Sequence, residues 1–238
     1  MNKILISILL LGLISCKKEE VQLPKSDVSI VTEILDHSPV YIFFQLENND
    51  TIASVNKNNL ISSTNWIFTI DKRLPLHTII PEIQELQDKK KKSTHKKEGA
   101  INVFSYADSL HQNLAFYPFT ETQFKYDNEF SRFYIKKHFD LYKDYNNMYL
   151  NFKKDGTLTI DGNDVERAEV YNYFKEFITL TAVDKKTMLH LNFDKHLTYN
   201  DYLQNKLLAW QLTALAIEIS AYEFVYDEAK LPQCNCKL

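Results

Sequence analysis

The chain contains few glycines, prolines and cysteines, and its composition limits the class of protein to which it can belong. Its 238 residues include 4 glycines, 6 prolines and 3 cysteines. The scarce glycine and modest proline content excludes a low-complexity sequence. The net charge of -3 provides no overall positive field that would attract nucleic acid. With 45% hydrophobic residues, the chain is long enough to bury a core as one large domain or two small ones.

The sequence also lacks the short motifs that identify many enzymes. It contains no Gly-x-Gly-x-x-Gly, no Walker loop, no Gly-x-Ser-x-Gly and no His-Glu-x-x-His. The seven histidines are dispersed, and His190 and His196 flank one strand without the spacing of metal ligands. Asp155-Gly156 and residues 161–164 look like calcium loops, but the glutamate that closes an EF-hand loop is missing. We therefore expect no catalytic residue, no metal and no cofactor.

The N-terminus has the pattern of a targeting segment. Lys3 precedes an apolar run over residues 4–14, which is too short to span a bilayer and has the length of a signal peptide. Leu13-Ile-Ser-Cys16 closes the run and is typical of a bacterial lipobox. We predict that residues 1–15 are removed and that lipidated Cys16 anchors the chain to a membrane of the bacterial cell envelope, the outer membrane, on its periplasmic or surface face. The alternative is a short membrane anchor with an incidental cysteine.

The two ends of the mature chain are expected to be loosely held. Lys17-Lys-Glu-Glu20 is similar to the export signals of surface lipoproteins of the Bacteroidetes type, or is an ordinary charged tether, and residues 16–27 are predicted to be flexible. Residues 229–238 form a predicted tail that contains Cys234 and Cys236. In an oxidising envelope these cysteines form a strained disulfide with each other or an intermolecular one, or the tail is free; two thiolates alone make a poor zinc site.

One pattern occurs twice, 123 residues apart. The first copy is Trp66-Ile-Phe-Thr-Ile-Asp71-Lys72-Arg-Leu74, and the second is Leu189-His-Leu-Asn-Phe-Asp194-Lys195-His-Leu197. Each copy predicts a strand, a turn at Asp-Lys-x-Leu and then a helix. The two aspartates are expected to accept backbone N–H bonds in these turns.

The repeat extends in both directions along the chain. A predicted hairpin precedes each core strand, over residues 40–53 and 148–159, and a closing strand follows, over residues 101–108 and 217–226. Only the second copy inserts a helix, near residues 165–177. We predict an α+β protein of two small units, 28–110 and 148–228, each a mixed sheet with helices packed on it. The units are expected to associate as an internal pseudo-dimer.

Apolar spacing predicts the remaining helices. The first repeat helix is predicted to bury Ile79, Ile83 and Leu86, and Pro81 places its start near Thr78. The second is predicted to bury Leu203, Leu207 and Trp210. Residues 28–36 are predicted to form a short helix. The connector, residues 111–147, is predicted to contain a strand interrupted by Pro118 and an amphipathic helix with apolar and aromatic positions at Phe130, Phe133, Tyr134, His138 and Leu141.

A lysine-rich run follows the first repeat helix. It contains six lysines: Lys89, Lys90, Lys91, Lys92, Lys96 and Lys97. One interpretation is a surface that binds anionic lipid, lipopolysaccharide or wall polymer. The other is a solvated helix end whose positive charge complements the helix dipole.

The second copy resembles the periplasmic domain of the ExbD/TolR family of biopolymer-transport proteins. The resemblance rests on Tyr149-Leu-Asn-Phe-Lys-Lys-Asp155-Gly156-Thr-Leu-Thr-Ile-Asp-Gly162 and on Leu189-His-Leu-Asn-Phe-Asp194-Lys195-x-Leu-x-Tyr199. Phe193 stands where the family pattern has alanine. The family's N-terminal membrane helix, with its proton-coupling aspartate, is replaced here by the lipobox at Cys16, so we expect no proton-driven force generation.

The resemblance implies a non-enzymatic function in the cell envelope. We expect binding or scaffolding, with peptidoglycan or an envelope transport complex as partner. The alternative is a binding module that holds a small molecule or peptide in the cleft between the two units.

Overall fold

The computed structural model describes residues 20–95, 97–126, 129–181 and 185–231, and within these ranges the protein is α+β with two mixed sheets of six strands each. The predicted signal peptide, Cys16, Lys96, Cys234 and Cys236 lie outside the described residues. No described helix is long and apolar enough to cross a membrane.

Sheet 1 contains the first copy of the repeat. In chain order its strands are β1 (Lys25–Ser26), β2 (His37–Glu47), β3 (Asp50–Asn56), β4 (Asn65–Ile70), β5 (Asn102–Asp108) and β6 (Asn113–Pro118). The β2–β3 hairpin is antiparallel, β2 pairs in parallel with β4, and β4 pairs in parallel with the first half of β5. β1 pairs with the last two residues of β5, and β6 adds an antiparallel edge to β5.

Sheet 2 has the same central topology. Its strands are β7 (Gln123–Lys125), β8 (Tyr145–Phe152), β9 (Leu158–Ile160), β10 (Asn163–Asp164), β11 (Lys186–Asp194) and β12 (Glu218–Tyr226), in the order β10-β9-β8-β11-β12-β7. The β8–β9 hairpin is antiparallel, β8 pairs in parallel with β11, and β11 pairs in parallel with β12. The order hairpin, core strand, closing strand therefore occurs twice, as the repeat predicts.

Five α-helices connect and cover the sheets in the described residues. They are α1 (Leu76–Lys92), α2 (Ser131–Lys137), α3 (Phe139–Tyr142), α4 (Val170–Thr181) and α5 (Tyr199–Gln211). The repeat helices α1 and α5 begin at residues 76 and 199, which are equivalent in the repeat. The extra helix of the second copy is α4, which lies a few residues later than the sequence predicts.

The larger of two hydrophobic clusters contains residues of both copies. The ring of Phe104 on β5 stacks on Phe119 with 3.7 Å between the ring centroids. The same ring meets Tyr199 and Tyr202 of α5 edge-on, at 5.7 and 6.0 Å. All four side chains are buried, and each contributes roughly 1.5–3 kcal/mol by its removal from water. The aromatic contacts therefore join a strand of one copy to a helix of the other.

The segment before β2 differs from the prediction in two ways. The predicted tether ends early, because the N–H of Gln22 donates to Asp71 Oδ2 at 3.1 Å and β1 joins sheet 1. Residues 28–36 form no helix. Their backbone is held by tertiary bonds instead: the hydroxyl of Tyr106 donates to the carbonyl of Val28, and Val31 pairs with Phe116. These contacts satisfy the backbone without a helical ladder.

Two details of the repeat helices were predicted wrongly. α1 begins at Leu76 rather than near Thr78, so Pro81 lies inside the helix. The earlier start is possible because the second copy accepts the first N–H groups of α1, as described below. In α5, Leu203 and Leu207 are buried as predicted, but Trp210 is 36% exposed and Ala209 is buried in its place.

In the connector, the predicted strand and the predicted helix each form two separate elements. The predicted interrupted strand consists of β6, which belongs to sheet 1, and β7, which belongs to sheet 2. The predicted amphipathic helix breaks at His138, whose backbone is not helical, into α2 and α3. Leu141 is consequently 70% exposed, whereas Phe130 is buried and stacks on Tyr226.

Candidate functional site at the junction of the two copies

The two Asp-Lys-x-Leu turns have the same construction. Asp71 follows β4 directly, and its Oδ1 accepts the N–H of Arg73 at 3.0 Å. Asp194 ends β11, and its Oδ1 accepts the N–H of His196 at 2.7 Å. Both aspartates are buried, and each accepts a backbone N–H within its own turn. Burial raises the pKa of the Asp71 carboxyl, but hydrogen bonds from Arg73 and Gln22 outweigh burial and hold this pKa below its ordinary value.

The turns also pair with each other through four backbone hydrogen bonds. The N–H of Leu76 donates to the carbonyl of Leu197 at 2.9 Å, and the N–H of Tyr199 donates to that of Leu74 at 2.7 Å. A second equivalent pair joins the N–H of His77 to Lys195 and the N–H of Asn200 to Lys72, at 2.9 and 3.0 Å. Every bond has a counterpart displaced by 123 residues, so the contact has pseudo-twofold symmetry.

This pairing explains how the repeat helices begin. The first N–H groups of a helix have no acceptor within the helix and need one from elsewhere. Pro75 precedes α1 and provides no side-chain cap, but carbonyls of the second copy accept two of these N–H groups. Each copy therefore caps the helix of the other.

Two histidines lie side by side at the edge of the pseudo-twofold junction. The rings of His77 and His196 have centroids 5.7 Å apart with an interplanar angle of 62°. His77 Nδ1 lies 3.3 Å from the Lys195 carbonyl, and His196 Nδ1 lies 2.9 Å from Asp194 Oδ1. Burial lowers the pKa of the His77 imidazole, which favours its neutral form.

A cleft opens between the copies on another side of the junction. Its volume is about 510 Å³, within the range of small-molecule sites. One wall is the start of β12, and the opposite wall is the end of β6 with the loop that follows it. The lining residues are Gly99, Ala100, Ile101, Tyr117, Pro118, Phe119, Thr120, Glu121, Thr122, Lys206, Ile219, Ser220, Ala221 and Glu223.

A buried ion pair lies at the floor of the cleft. Lys206 Nζ contacts Glu223 Oε1, and both residues are only 2% exposed. The hydroxyl of Tyr202 donates to Glu223 Oε2 at 2.6 Å, and Lys206 Nζ lies 4.6 Å from the ring centre of Tyr117. Burial lowers the pKa of Lys206, but Glu223 and Tyr117 together outweigh burial and raise this pKa, so the ammonium stays charged. The floor is therefore polar but neutral overall.

A β-bulge in β12 places Glu223 in this position. Leu189 pairs with Ile219 and Leu191 pairs with Glu223, so three residues of β12 stand opposite the single residue His190 of β11. Bulges re-aim side chains and occur often beside functional sites. Here the bulge lines the cleft with Ser220 and Ala221 and turns the next carboxylate towards Lys206.

The side chains that line the cleft determine which ligands it could accept. None of its described lining residues is a histidine or cysteine, so Ser220 has no imidazole there to act as its base. Lys206 and Glu223 neutralise each other. The walls combine apolar side chains with a few hydroxyl groups, the composition typical of a site that binds a small amphipathic molecule or a short peptide.

One feature of the sequence marks this site. Lys206 is equivalent in the repeat to Ile83, which is fully buried in α1. A lysine at a buried position of a repeated apolar stripe requires a partner. Glu223 could not have been assigned as that partner, because the bulge that aims it is not visible in the sequence.

The predicted anionic-surface site is only partly assembled. Lys89, Lys91, Lys92 and Lys97 are exposed, but Lys90 is buried, which corrects the prediction for this residue. Its Nζ donates to Asn102 Oδ1 at 2.8 Å and lies 5.0 Å from the ring centre of Trp66. Burial lowers the pKa of Lys90 to about 8.

Comparison of the chain with protein-family models, curated proteins and solved structures finds no match. Within the described part of the chain, no group of three or more His, Cys, Asp or Glu residues is placed to hold a metal ion.

Proposed function

We propose that this chain is a non-enzymatic binding or scaffolding lipoprotein of the bacterial cell envelope. The reciprocal pairing of two like units carries the proposal. Each unit has the hairpin, core strand and helix order on which the resemblance to ExbD/TolR periplasmic domains rests, and the pairing gives a single chain the form of a dimer. Lipidation at Cys16 would keep this pseudo-dimer at a membrane without a proton-coupling helix. Its partner would be peptidoglycan or an envelope transport complex.

The exposed lysines beyond α1 provide a charged surface for such a partner. Lys89, Lys91 and Lys92 lie in the last turn of α1, and Lys97 follows in the sequence. Exposed charges act over about one Debye length, roughly 8 Å in physiological salt, so binding through them should weaken as salt is raised.

Retention on isolated envelope and on peptidoglycan tests the proposal. One variant changes Lys89, Lys91, Lys92, Lys96 and Lys97 to Gln. The matched control changes five lysines elsewhere, namely Lys136, Lys137, Lys143, Lys154 and Lys175, which are also exposed. Retention should fall for the first variant and when salt is raised. It should be unchanged for the control variant and in the presence of a protonophore. No retention of the wild type, together with hydrolytic turnover in a broad substrate screen, would replace this proposal with an enzyme.

A second candidate function is the binding of a small molecule or peptide in the cleft. The bulge and the buried ion pair favour it, because a charged pair below an open cleft costs solvation that simple packing does not need. Ala221→Trp should block the cleft, since Ala221 is exposed on its wall. Ala168→Trp is the control, at an exposed position outside the lining. A ligand found by thermal-shift screening must lose binding in the first variant and keep it in the second.

A further inference from the structure

We propose that His77 and His196 together bind one transition-metal ion, such as Zn²⁺, at the pseudo-twofold junction. The two residues are 119 positions apart in the chain and belong to different copies of the repeat. Their rings are adjacent only because the two Asp-Lys-x-Leu turns pair.

The spacing of the rings suits a shared ion. Zinc binds imidazole nitrogen at about 2.0–2.1 Å, and two imidazoles on one tetrahedral ion have ring centres roughly 5–6 Å apart. The His77 and His196 centroids are 5.7 Å apart. Both side chains are exposed, so an ion can approach from solvent.

The outer hydrogen bonds of both rings match those of metal ligands. A ligating histidine almost always donates its other ring N–H to a carboxylate or a backbone carbonyl, which fixes the tautomer. His196 Nδ1 faces Asp194 Oδ1 at 2.9 Å, and His77 Nδ1 faces the Lys195 carbonyl at 3.3 Å. With Nδ1 as donor in each ring, Nε2 carries the lone pair that a metal requires.

Two imidazoles supply half of a tetrahedral set, and water completes it. The site is therefore weaker than the three- and four-ligand sites of zinc proteins, and it belongs to metals that accept nitrogen ligands rather than to Mg²⁺ or Ca²⁺. Because one ligand comes from each copy, the bound ion would link the two units across the junction and stabilise the folded chain by mass action.

The test is titration of the full chain with Zn²⁺ in a calorimeter. The parent carries Cys16→Ser, Cys234→Ser and Cys236→Ser, so that thiols cannot bind the ion. We expect one ion per chain, at least about tenfold weaker binding in His77→Gln and in His196→Gln, and no change in His111→Gln. His111 is the matched control, since it is exposed and its Nδ1 lies 2.7 Å from Asp108 Oδ2, but among the described residues no second imidazole contacts it.

Thermal unfolding gives a second measurement. Zn²⁺ should raise the unfolding midpoint of the parent and of His111→Gln, and a chelator should reverse the rise, while His77→Gln and His196→Gln should show none. The variants should unfold like the parent in chelator, which verifies their fold. No binding by the parent, or binding that either junction variant retains in full, overturns the proposal.

Discussion

Leu74 and Tyr199 are joined by a 2.7 Å hydrogen bond from the Tyr199 N–H to the Leu74 carbonyl, and Leu197 and Leu76 are joined by its counterpart at 2.9 Å. Each bond links the turn of one copy to the helix of the other. Neither repeat helix therefore begins independently of the other copy. We expect the two copies to unfold together, because separating them exposes N–H groups at both helix starts.

Replacing Leu76 with proline tests this coupling. Proline is acceptable at the first helical position and Pro75 already has an extended conformation, so the backbone can accommodate the change. The variant loses the N–H that Leu197 accepts. Leu76→Ala is the control, since it truncates the same buried side chain and keeps the N–H. We expect Leu76→Pro to be less stable than Leu76→Ala by about 1–3 kcal/mol in urea unfolding. Equal stability of the two would contradict helix capping by the second copy.

Removing one partner of the ion pair beneath the cleft should destabilise the fold much more than replacing both partners. Lys206→Met leaves Glu223 buried without its cation, which we expect to destabilise the fold by about 3–5 kcal/mol. Lys206→Met combined with Glu223→Gln should recover most of this loss, since Tyr202 can still bond the amide. Denaturant unfolding of the two single variants and the double variant gives the coupling energy. A double variant as unstable as the sum of its parts would show that the pair does not act as a unit.

His190 should make the fold sensitive to acid. It is fully buried on β11, its Nε2 lies 2.8 Å from Asn147 Oδ1, and burial lowers its pKa to about 4. In the unfolded chain the His190 imidazole binds a proton near pH 6.5, whereas in the folded chain it stays neutral until the pH approaches 4. Stability should therefore fall as the pH drops from 6.5 towards 4, by about 3 kcal/mol in total. His190→Gln should flatten this slope in urea unfolding at each pH; an unchanged slope would assign the sensitivity to other groups.

Lys90 should have the corresponding effect at alkaline pH. Its pKa falls to about 8 in the folded chain, against 10.5 when exposed. The folded state then releases a proton that the unfolded state retains, so stability should rise as the pH increases from 8 to 10.5. Lys90→Met should remove this rise, whereas Lys91→Met, at the exposed neighbouring position, should keep it. Unfolding midpoints at pH 7, 8, 9 and 10 measure the difference.

Lipidation of Cys16 has a direct test in bacterial cells. A clickable fatty-acid analogue should label the wild type and should not label Cys16→Ser. Cys234→Ser with Cys236→Ser is the control and should remain labelled, because the tail thiols lie outside the lipobox. Equal labelling of the wild type and Cys16→Ser would refute the predicted anchor.

The repeated elements were predictable because local and tertiary signals agree there. The strand before Asp71 is largely apolar, and aspartate is a residue that favours turns. The apolar spacing of the helix follows directly. Residues 28–36 show the opposite case. Their apolar spacing fits a helix, but Tyr106 and Phe116 supply backbone partners that a sequence pattern cannot reveal.

The site residues were harder to predict for a related reason. The His77–His196 pair and the Lys206–Glu223 pair each join residues through packing rather than through spacing along the chain. The duplication fixes which turns meet, but it does not state which side chains project from the meeting point. Only the substitution of lysine for the repeat's buried isoleucine marks the cleft in the sequence.

The hydrogen bond from Gln22 to Asp71 has a mechanical consequence for the proposed anchor. Cys16 and Gln22 are six residue steps apart, and six extended residues reach at most about 22 Å. A lipid at Cys16 would thus be joined to the folded domain by a short tether. The folded domain would stay close to the lipid headgroups. The size of this domain would then set the largest distance from the bilayer at which it can contact a partner.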